Sequence, residues 1–254
     1  MRTYASAQNI GGRDTQCDAA AVRTGPGGAR AYVLLDGIGS SARVRDWTRR
    51  TAVRLADRAA RRGDAETALR SLYEKIAADP DRQDPYTRRY MPSAAAIVAV
   101  TVPGKPLSLA WAGDSRAYLM RRGLALRLTE DHNLRGVYPP SALYPEGGAP
   151  NVITSYLGSV STDEESRAKY RHPAIESTTV PLQDGDRLVL ASDGAYEPHE
   201  QAGHDLFAEL DDDPLTGIVR SFVDVAVDTA RAALPEDEHC YVDNATALLA
   251  TLTP

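Results

Sequence analysis

At 254 residues, 43% of them apolar and 25% charged, the chain has the make-up of a globular protein with a sizeable core, which excludes a disordered or low-complexity segment. The formal net charge of −6 repels a phosphate backbone, so no nucleic-acid partner is expected. The longest apolar stretch, Ser93 to Val102, ends at Pro103, short of the roughly 18 residues of a membrane span, and the N-terminal residues lack the apolar run of a signal peptide, so a cytoplasmic location with no membrane partner is expected.

Large two-layer β folds reach this length undivided, so one domain over 1–254 is expected. Period-two alternation predicts strands at Tyr4 to Asn9, Asp18 to Arg23 and Ala31 to Leu35, with Gly25-Pro26-Gly27-Gly28 as punctuation. From Val44 the period changes: Val44, Trp47, Thr51, Leu55 and Ala59 mark a helix that Gly63 should close. Asp64 can cap a second helix, with Ala65, Ala68, Leu69, Leu72 and Ile76 on its apolar face, before Asp79-Pro80 stops it. Strands return at Ala94 to Val102, Leu107 to Trp111, Arg116 to Met120 and Leu124 to Leu128, the last two joined by a tight turn at Arg121-Arg122-Gly123. Prolines and glycines between His132 and Ser155 rule out long regular elements there. Strands follow at Ile175 to Val180 and Arg187 to Ala191, then a helix over Leu215 to Ala233 and a closing strand over Ala245 to Leu252. Short antiparallel strands interrupted by paired helices define an α+β class.

Four aspartates each adjoin an apolar strand: Asp36, Asp114, Asp193 and Asp243. Singly, each reads first as a turn residue. Carboxylates at several strand ends converge on one rim of a sheet, however, and repel one another unless a hard cation neutralises them, so together they point to a divalent metal site. Two cysteines, Cys17 and Cys240, lack the paired spacing of a zinc site, and two reduced thiols are the ordinary expectation.

In chain order, Arg13 to Asp18, Asp36-Gly37-Ile38-Gly39, Gly113-Asp114-Ser115-Arg116 and Leu128-Thr129-Glu130-Asp131-His132 resemble successive motifs of the metal-dependent PP2C-type (PPM) protein phosphatases of bacterial type. Tyr156-Leu157-Gly158, Gly185-Asp186 to Ser192-Asp193-Gly194 and Asp243-Asn244-Ala245-Thr246 continue the resemblance almost to the end. It implies a PP2C-like β-sandwich of two antiparallel sheets flanked by helices (αββα), and hydrolysis of phosphoserine and phosphothreonine esters on proteins with no covalent phosphoenzyme. It further implies Asp36 as a bridge between two Mn²⁺ or Mg²⁺ ions, the Gly37 carbonyl on the second, Asp193 and Asp243 on the first, and Asp114 with Asp193 at a third, weaker ion. Such cations acidify a water for in-line attack, and Arg13 would grip the phosphoryl oxygens. The expected partner is a phosphoprotein, the substrate of a Ser/Thr kinase. Residues 133–155 match in position a flap beside the active site.

The chain departs from the family at Cys17, where Glu or Gln is usual, so Cys17 and Asp18 become neighbours of the second metal whose part in binding it stays open. Ile38 stands where some members carry a proton-donating histidine; His132 is given a structural role. The run of arginines from Arg43 to Arg62 reads as a solvated helix face, with docking of an acidic phosphoprotein as the alternative. Two other functions share the fold: a pseudophosphatase acting as a binding or regulatory module, and a phosphatase of a small-molecule ester.

Overall fold

The structure, a computed structural model, describes residues 3–210 and 214–254. In chain order the elements are β1 (Tyr4–Asn9), β2 (Ala19–Thr24), β3 (Arg30–Gly37), α1 (Ala42–Arg62), α2 (Ala65–Ala77), the single turns α3 (Pro80–Gln83) and α4 (Pro85–Arg88), β4 (Ala94–Thr101) and β5 (Leu107–Ala112). Then come β6 (Arg116–Arg121), β7 (Leu124–Arg127), α5 (Leu134–Val137), α6 (Asp163–Tyr170), β8 (Glu176–Val180), β9 (Arg187–Ala191), α7 (Asp193–Ala202), α8 (Leu206–Leu210), α9 (Leu215–Ala232) and β10 (Ala245–Thr251).

The strands form two antiparallel sheets, β1-β10-β9-β6-β7 and β2-β3-β4-β5-β8. Alternation along β3 shows why they stack. Tyr32 and Leu34 join Ile97, Leu109, Leu119, Leu190 and Leu248 in a layer between the sheets. Ala31, Val33 and Leu35 face the opposite way, against Leu55, Ala59 and Leu69 of α1 and α2. Across the sandwich, Val189, Ala247 and Leu249 meet Tyr196, Val219, Phe222 and Val223 of α7 and α9. Both faces of the central strands are therefore covered, and β4 accordingly reads as an unbroken apolar run. This is the αββα sandwich expected from the sequence.

Local chemistry sets the helix ends. Ser41 caps α1 by accepting the Val44 N–H, and Gly63, at φ 64°, ends it in the left-handed conformation. Asp64 caps α2 through the Thr67 N–H at 2.8 Å. Among the described helices of eight residues or more, two escape the sequence reading. Helix α6 starts with a Thr162/Glu165 capping box, a legible signal that its short, charged sequence obscures. Helix α7 contains Pro198, which reads as a break.

The register gathers eight strand ends on one rim. Ala19, opening β2, pairs with Leu35, so Asp18 and Asp36 stand beside one another. Asp36 pairs with Ala95 and Ala96 with Ala112, which brings Asp114 in from the end of β5. In the other sheet Ala191 pairs with both Arg116 and Ala247, and Ala245 with Asn9, so Asp193 and Asp243 arrive at the same rim.

Candidate metal centre

The rim is held open by close backbone packing. Gly113 has φ 127°, and a Cβ there would meet the Ala95 Cβ at 2.4 Å, so only glycine lets β5 turn into the Asp114 loop. A Cβ at Gly37 would lie 2.5 Å from the Cys17 carbonyl oxygen, which fixes how closely the Asp36 loop nests against the Arg13–Asp18 segment.

Asn244 ties that segment down: its Oδ1 accepts the Cys17 N–H at 2.8 Å, and its Nδ2 donates to the Ile10 carbonyl at 2.9 Å. Gln8 Nε2 donates to the Asp18 carbonyl at 3.0 Å and to Thr246 Oγ1 at 3.2 Å. From α7, Tyr196 donates its hydroxyl to the Asp114 carbonyl at 2.9 Å. Beneath it the Arg116 guanidinium stacks on the Tyr196 ring at 3.9 Å and forks onto Asp131 at 2.9 and 2.8 Å.

The carboxyl groups feel one another strongly. Burial, and then the charges of Asp18, Asp193, Asp114 and Asp243, push Asp36 well above the usual carboxylate range. Burial pushes Asp18 up to about 7, opposed by a bond from the Thr246 hydroxyl and reinforced by Asp193 and Asp243. Asp114 is raised by burial, then by Asp193 and Asp131; Asp193 is raised by burial and by Asp243, against bonds from Asp36 and the Gly194 N–H. Asp243 is exposed and pairs with Arg13 Nη2 at 3.0 Å.

Among the described residues no group of three or more His, Cys, Asp or Glu side chains is placed so that it could hold a metal ion as it stands. The donor set nevertheless suits a cation. Asp18 Oδ2 and Asp114 Oδ1 are buried without a hydrogen-bond partner, and orphaned carboxylate oxygens facing other carboxylates are costly unless positive charge lies between them. All-oxygen donors match Mg²⁺ or Mn²⁺ better than zinc. The cluster is thus a mutually repelling set of carboxyls with two buried, unpartnered oxygens, and its side chains do not stand in a finished coordination shell.

A test follows. Asp18, Asp36, Asp114 and Asp193 hold protons in the folded chain that the unfolded chain releases near pH 4, so between there and the raised value of about 7 for Asp18 the folded state binds more protons. Its stability must then fall as pH rises through that window. In EDTA the melting temperature should be lower at pH 7.5 than at pH 5, and Mn²⁺ at pH 7.5 should reverse the loss; a metal-free stability that climbs steadily to pH 7.5 would contradict this.

The remaining sequence candidates divide. Cys17 is buried, its thiol donates toward the Ser41 carbonyl at 3.7 Å, and burial followed by the Asp18 charge pushes its pKa up, so it sits beside the cluster as a neutral thiol. Cys240 is exposed and both cysteines are free. His132 is buried, with Nδ1 accepting the Gly113 N–H at 3.4 Å and Nε2 bonding to Glu176 at 3.1 Å, which agrees with a structural role. Residues 133–155 leave and return through an Asn133–Ile153 bridge, and the His132 N–H bonds to the Gly113 carbonyl at 3.0 Å, so the loop is anchored one residue from Asp114. The sequence reading missed Glu197 on α7, which burial and then Asp193 push up to about 7; only the α7 helix, itself hidden by Pro198, turns it toward the rim.

The comparisons agree with this architecture. Residues 29–135 match the family model Protein phosphatase 2C, as the ordered motifs implied. A putative protein phosphatase of Mycoplasma pneumoniae is 37% identical over 93 residues, 34% of this chain and 32% of that relative's length, so the match takes in about a third of the relative. Among solved structures, the serine/threonine phosphatase of S. agalactiae superposes with a TM-score of 0.75 at 19% identity, covering 98% of this chain and 99% of that one. The Mycobacterium tuberculosis serine/threonine phosphatase PstP/Ppp gives 0.68 at 20% identity over 99% and 98% of the chains. The PPM Ser-Thr phosphatase MsPP of Mycobacterium smegmatis, in complex with cacodylate, gives 0.67 at 21% identity over 98% of each. The fold is the PP2C fold along nearly the whole chain, and the sequence match lies in the part that carries Asp36 and Asp114. No helix among the described residues is long and apolar enough to cross a membrane.

Proposed function

We propose that residues 1–254 form a PP2C-like domain that hydrolyses phosphoserine and phosphothreonine esters on proteins with the help of two Mn²⁺ or Mg²⁺ ions, a third binding more weakly. The observation that carries this is the rim of five aspartates with two buried, unpartnered oxygens, on Asp18 and Asp114. Asp36 and the Gly37 carbonyl, Asp193 and Asp243 would hold the principal ions, Asp114 with Asp193 the third, and Asp18 completes the negative shell. When bound, the cations supply charge neutralisation of the phosphoryl oxygens and acidification of the attacking water.

The side chains do the rest. Arg13 lies at the mouth, its side chain 32% exposed and its Nη2 on Asp243 at 3.0 Å, so the exposed part of the guanidinium can meet a phosphoryl oxygen. Neither nearby nucleophile is suited to a covalent step: Cys17 is a neutral buried thiol and the Ser115 hydroxyl is buried. Direct attack by water is therefore favoured over a phosphoenzyme. Residues 133–155, anchored beside Asp114, would act as the flap that meets the substrate. Two free cysteines agree with a reducing, cytoplasmic setting.

Hydrolysis of a phosphothreonine peptide and of p-nitrophenyl phosphate in Mn²⁺, Mg²⁺ or EDTA tests the reading. Turnover of both with either cation and none in EDTA is expected. Cation binding with no hydrolysis of either would overturn it in favour of a binding module, and hydrolysis of the small ester alone would overturn the protein substrate.

Arg13→Ala should raise the Michaelis constant by about 10–100-fold, the worth of a hydrogen bond to a charged group, with cation affinity nearly unchanged. Because Arg13 also pairs with Asp243, a Mn²⁺ titration separates the roles. Lost cation binding with an unchanged Michaelis constant would make Arg13 a support for Asp243 instead.

A further inference from the structure

The outward face of α1 carries Arg43, Arg50, Arg54 and Arg58 at helical spacing. In the structure this face is not simply solvated. The four guanidiniums, with Lys75 of α2 and Arg82 of α3, line a cavity of about 440 Å³. A second cavity, of about 460 Å³, continues along the helix between Arg54, Asp57, Arg58, Arg61 and Arg62, with Asp57 paired to Arg23 at 3.2 Å. Asp79 is the one acidic residue lining the first, and its carboxylate is engaged in capping α3. None of the six cations of the first cavity has an ion-pair partner among the described residues.

Arg82 makes the case sharper. It is 2% exposed, donates to the Gly158 carbonyl at 2.8 Å and to the Pro92 carbonyl, and lies over Trp47 at 5.6 Å; burial lowers its pKa, and the Asp79 charge offsets this only in part. A buried cation with no anion in contact is costly. In a chain of net charge −6, six cations around one cavity against the single carboxylate of Asp79 mark a place where a further anion belongs.

Shape and floor narrow the ligand. From Arg43 to Arg62 the helix runs about 28 Å at 1.5 Å per residue, the reach of about eight extended residues, so the ligand is elongated. The floor is apolar, formed by Trp47, Leu72, Ile76, Met91 and Pro92, which a chain bearing only phosphates cannot use but a peptide with interspersed apolar side chains can. One end also abuts the candidate metal centre: α1 begins straight after the Gly37–Ser41 loop, and the Ile38 N–H bonds at 2.9 Å to the carbonyl of Ser93, next to Pro92.

We propose that this groove binds an acidic segment of polypeptide chain carrying a few apolar side chains, and holds it alongside the rim. That the segment belongs to the substrate rests on the phosphatase reading above; that the groove takes an acidic peptide does not.

The test uses the full chain and Arg50→Glu/Arg54→Glu, both exposed positions away from the rim. Fluorescence anisotropy follows a labelled ten-residue Glu/Leu peptide, with its Gln/Leu counterpart, inorganic polyphosphate and duplex DNA as competitors; circular dichroism confirms that the variant is folded. Binding of the acidic peptide at least tenfold tighter to wild type than to the variant, weakened by salt, with the Gln peptide and both phosphate polymers weaker, is expected. Equal binding by the two proteins, or tighter variant-sensitive binding of polyphosphate or DNA, overturns the proposal. In turnover, an acidic extension on a phosphothreonine peptide should lower KM about tenfold in wild type and not in the variant, with kcat and p-nitrophenyl phosphate hydrolysis unchanged. Failure of wild type to hydrolyse any ester while it binds the acidic peptide would overturn the phosphatase reading and leave the groove; the reverse would overturn the groove alone.

Discussion

Asp36→Asn and Asp193→Asn are each expected to cost on the order of 10³-fold or more in turnover of a phosphothreonine peptide, while the metal-free chain melts no lower than wild type. The first half follows from charge: each variant removes one negative charge from the shell, and loss of a single electrostatic contributor at a reacting phosphate already costs about 10²–10³-fold; here the cations themselves would be displaced as well. The second half follows from the repulsion within the cluster. Asp36 is raised well above the usual range by burial and by four neighbouring carboxylates, and Asp193 by burial and Asp243, so each is a liability to the fold until a cation arrives. An amide of the same shape relieves that repulsion. Activity lost together with stability would show that these side chains act as structural supports; wild-type turnover in saturating Mn²⁺ would remove them from the centre altogether.

Arg116→Met should destabilise the fold by about 3 kcal/mol, near the low end of what breaking a buried ion pair costs, or roughly 6–12 °C in melting temperature for a domain of this size. Arg116 is 8% exposed, forks onto Asp131 and reaches Glu200 Oε1 at 2.6 Å. The low end applies because Arg127 Nη2 still meets Asp131 at 2.6 Å when Arg116 is gone. Glu200 is largely solvated and contributes little. Turnover should fall too, since Arg116 stacks on the Tyr196 ring whose hydroxyl holds the Asp114 carbonyl. Pairing the change with Asp131→Leu should recover part of the loss, because the second substitution removes the stranded carboxylate. A single-variant loss under about 1 kcal/mol would place the pair with ordinary surface ion pairs.

The sandwich was legible because its strands carry their burial in plain view. Tyr4–Asn9 and Arg187–Ala191 were bounded by alternation and apolar content alone, and the end of α1 and the start of α2 by Gly63 and Asp64, whereas the Ser41 cap of α1 went unread. The stacking of one sheet on the other was not, since pairing Asp36 with Ala95 and Ala191 with Arg116 depends on long-range register that local pattern does not encode. The aspartates themselves were visible as strand-end residues, and their convergence followed from that position. Their mutual titration was not, because it depends on how far each carboxyl is taken out of water. Glu197 lay beyond reach for a related reason, its helix being broken to the eye by Pro198. The arginines of α1 were legible as a face but not as a cavity wall, since α2 and α3 supply the other side.

Whether the rim of aspartates holds the divalent cations on which hydrolysis depends is decided by titrating Mn²⁺ into metal-free protein, following bound ion by the loss of free-Mn²⁺ paramagnetic resonance and turnover of a phosphothreonine peptide in the same samples. At least two ions should bind, turnover should rise with their occupancy from none in the metal-free protein, and Asp36→Asn should lose both together. Full turnover in the metal-free protein, or tight binding of two ions by Asp36→Asn, would contradict that role for the rim.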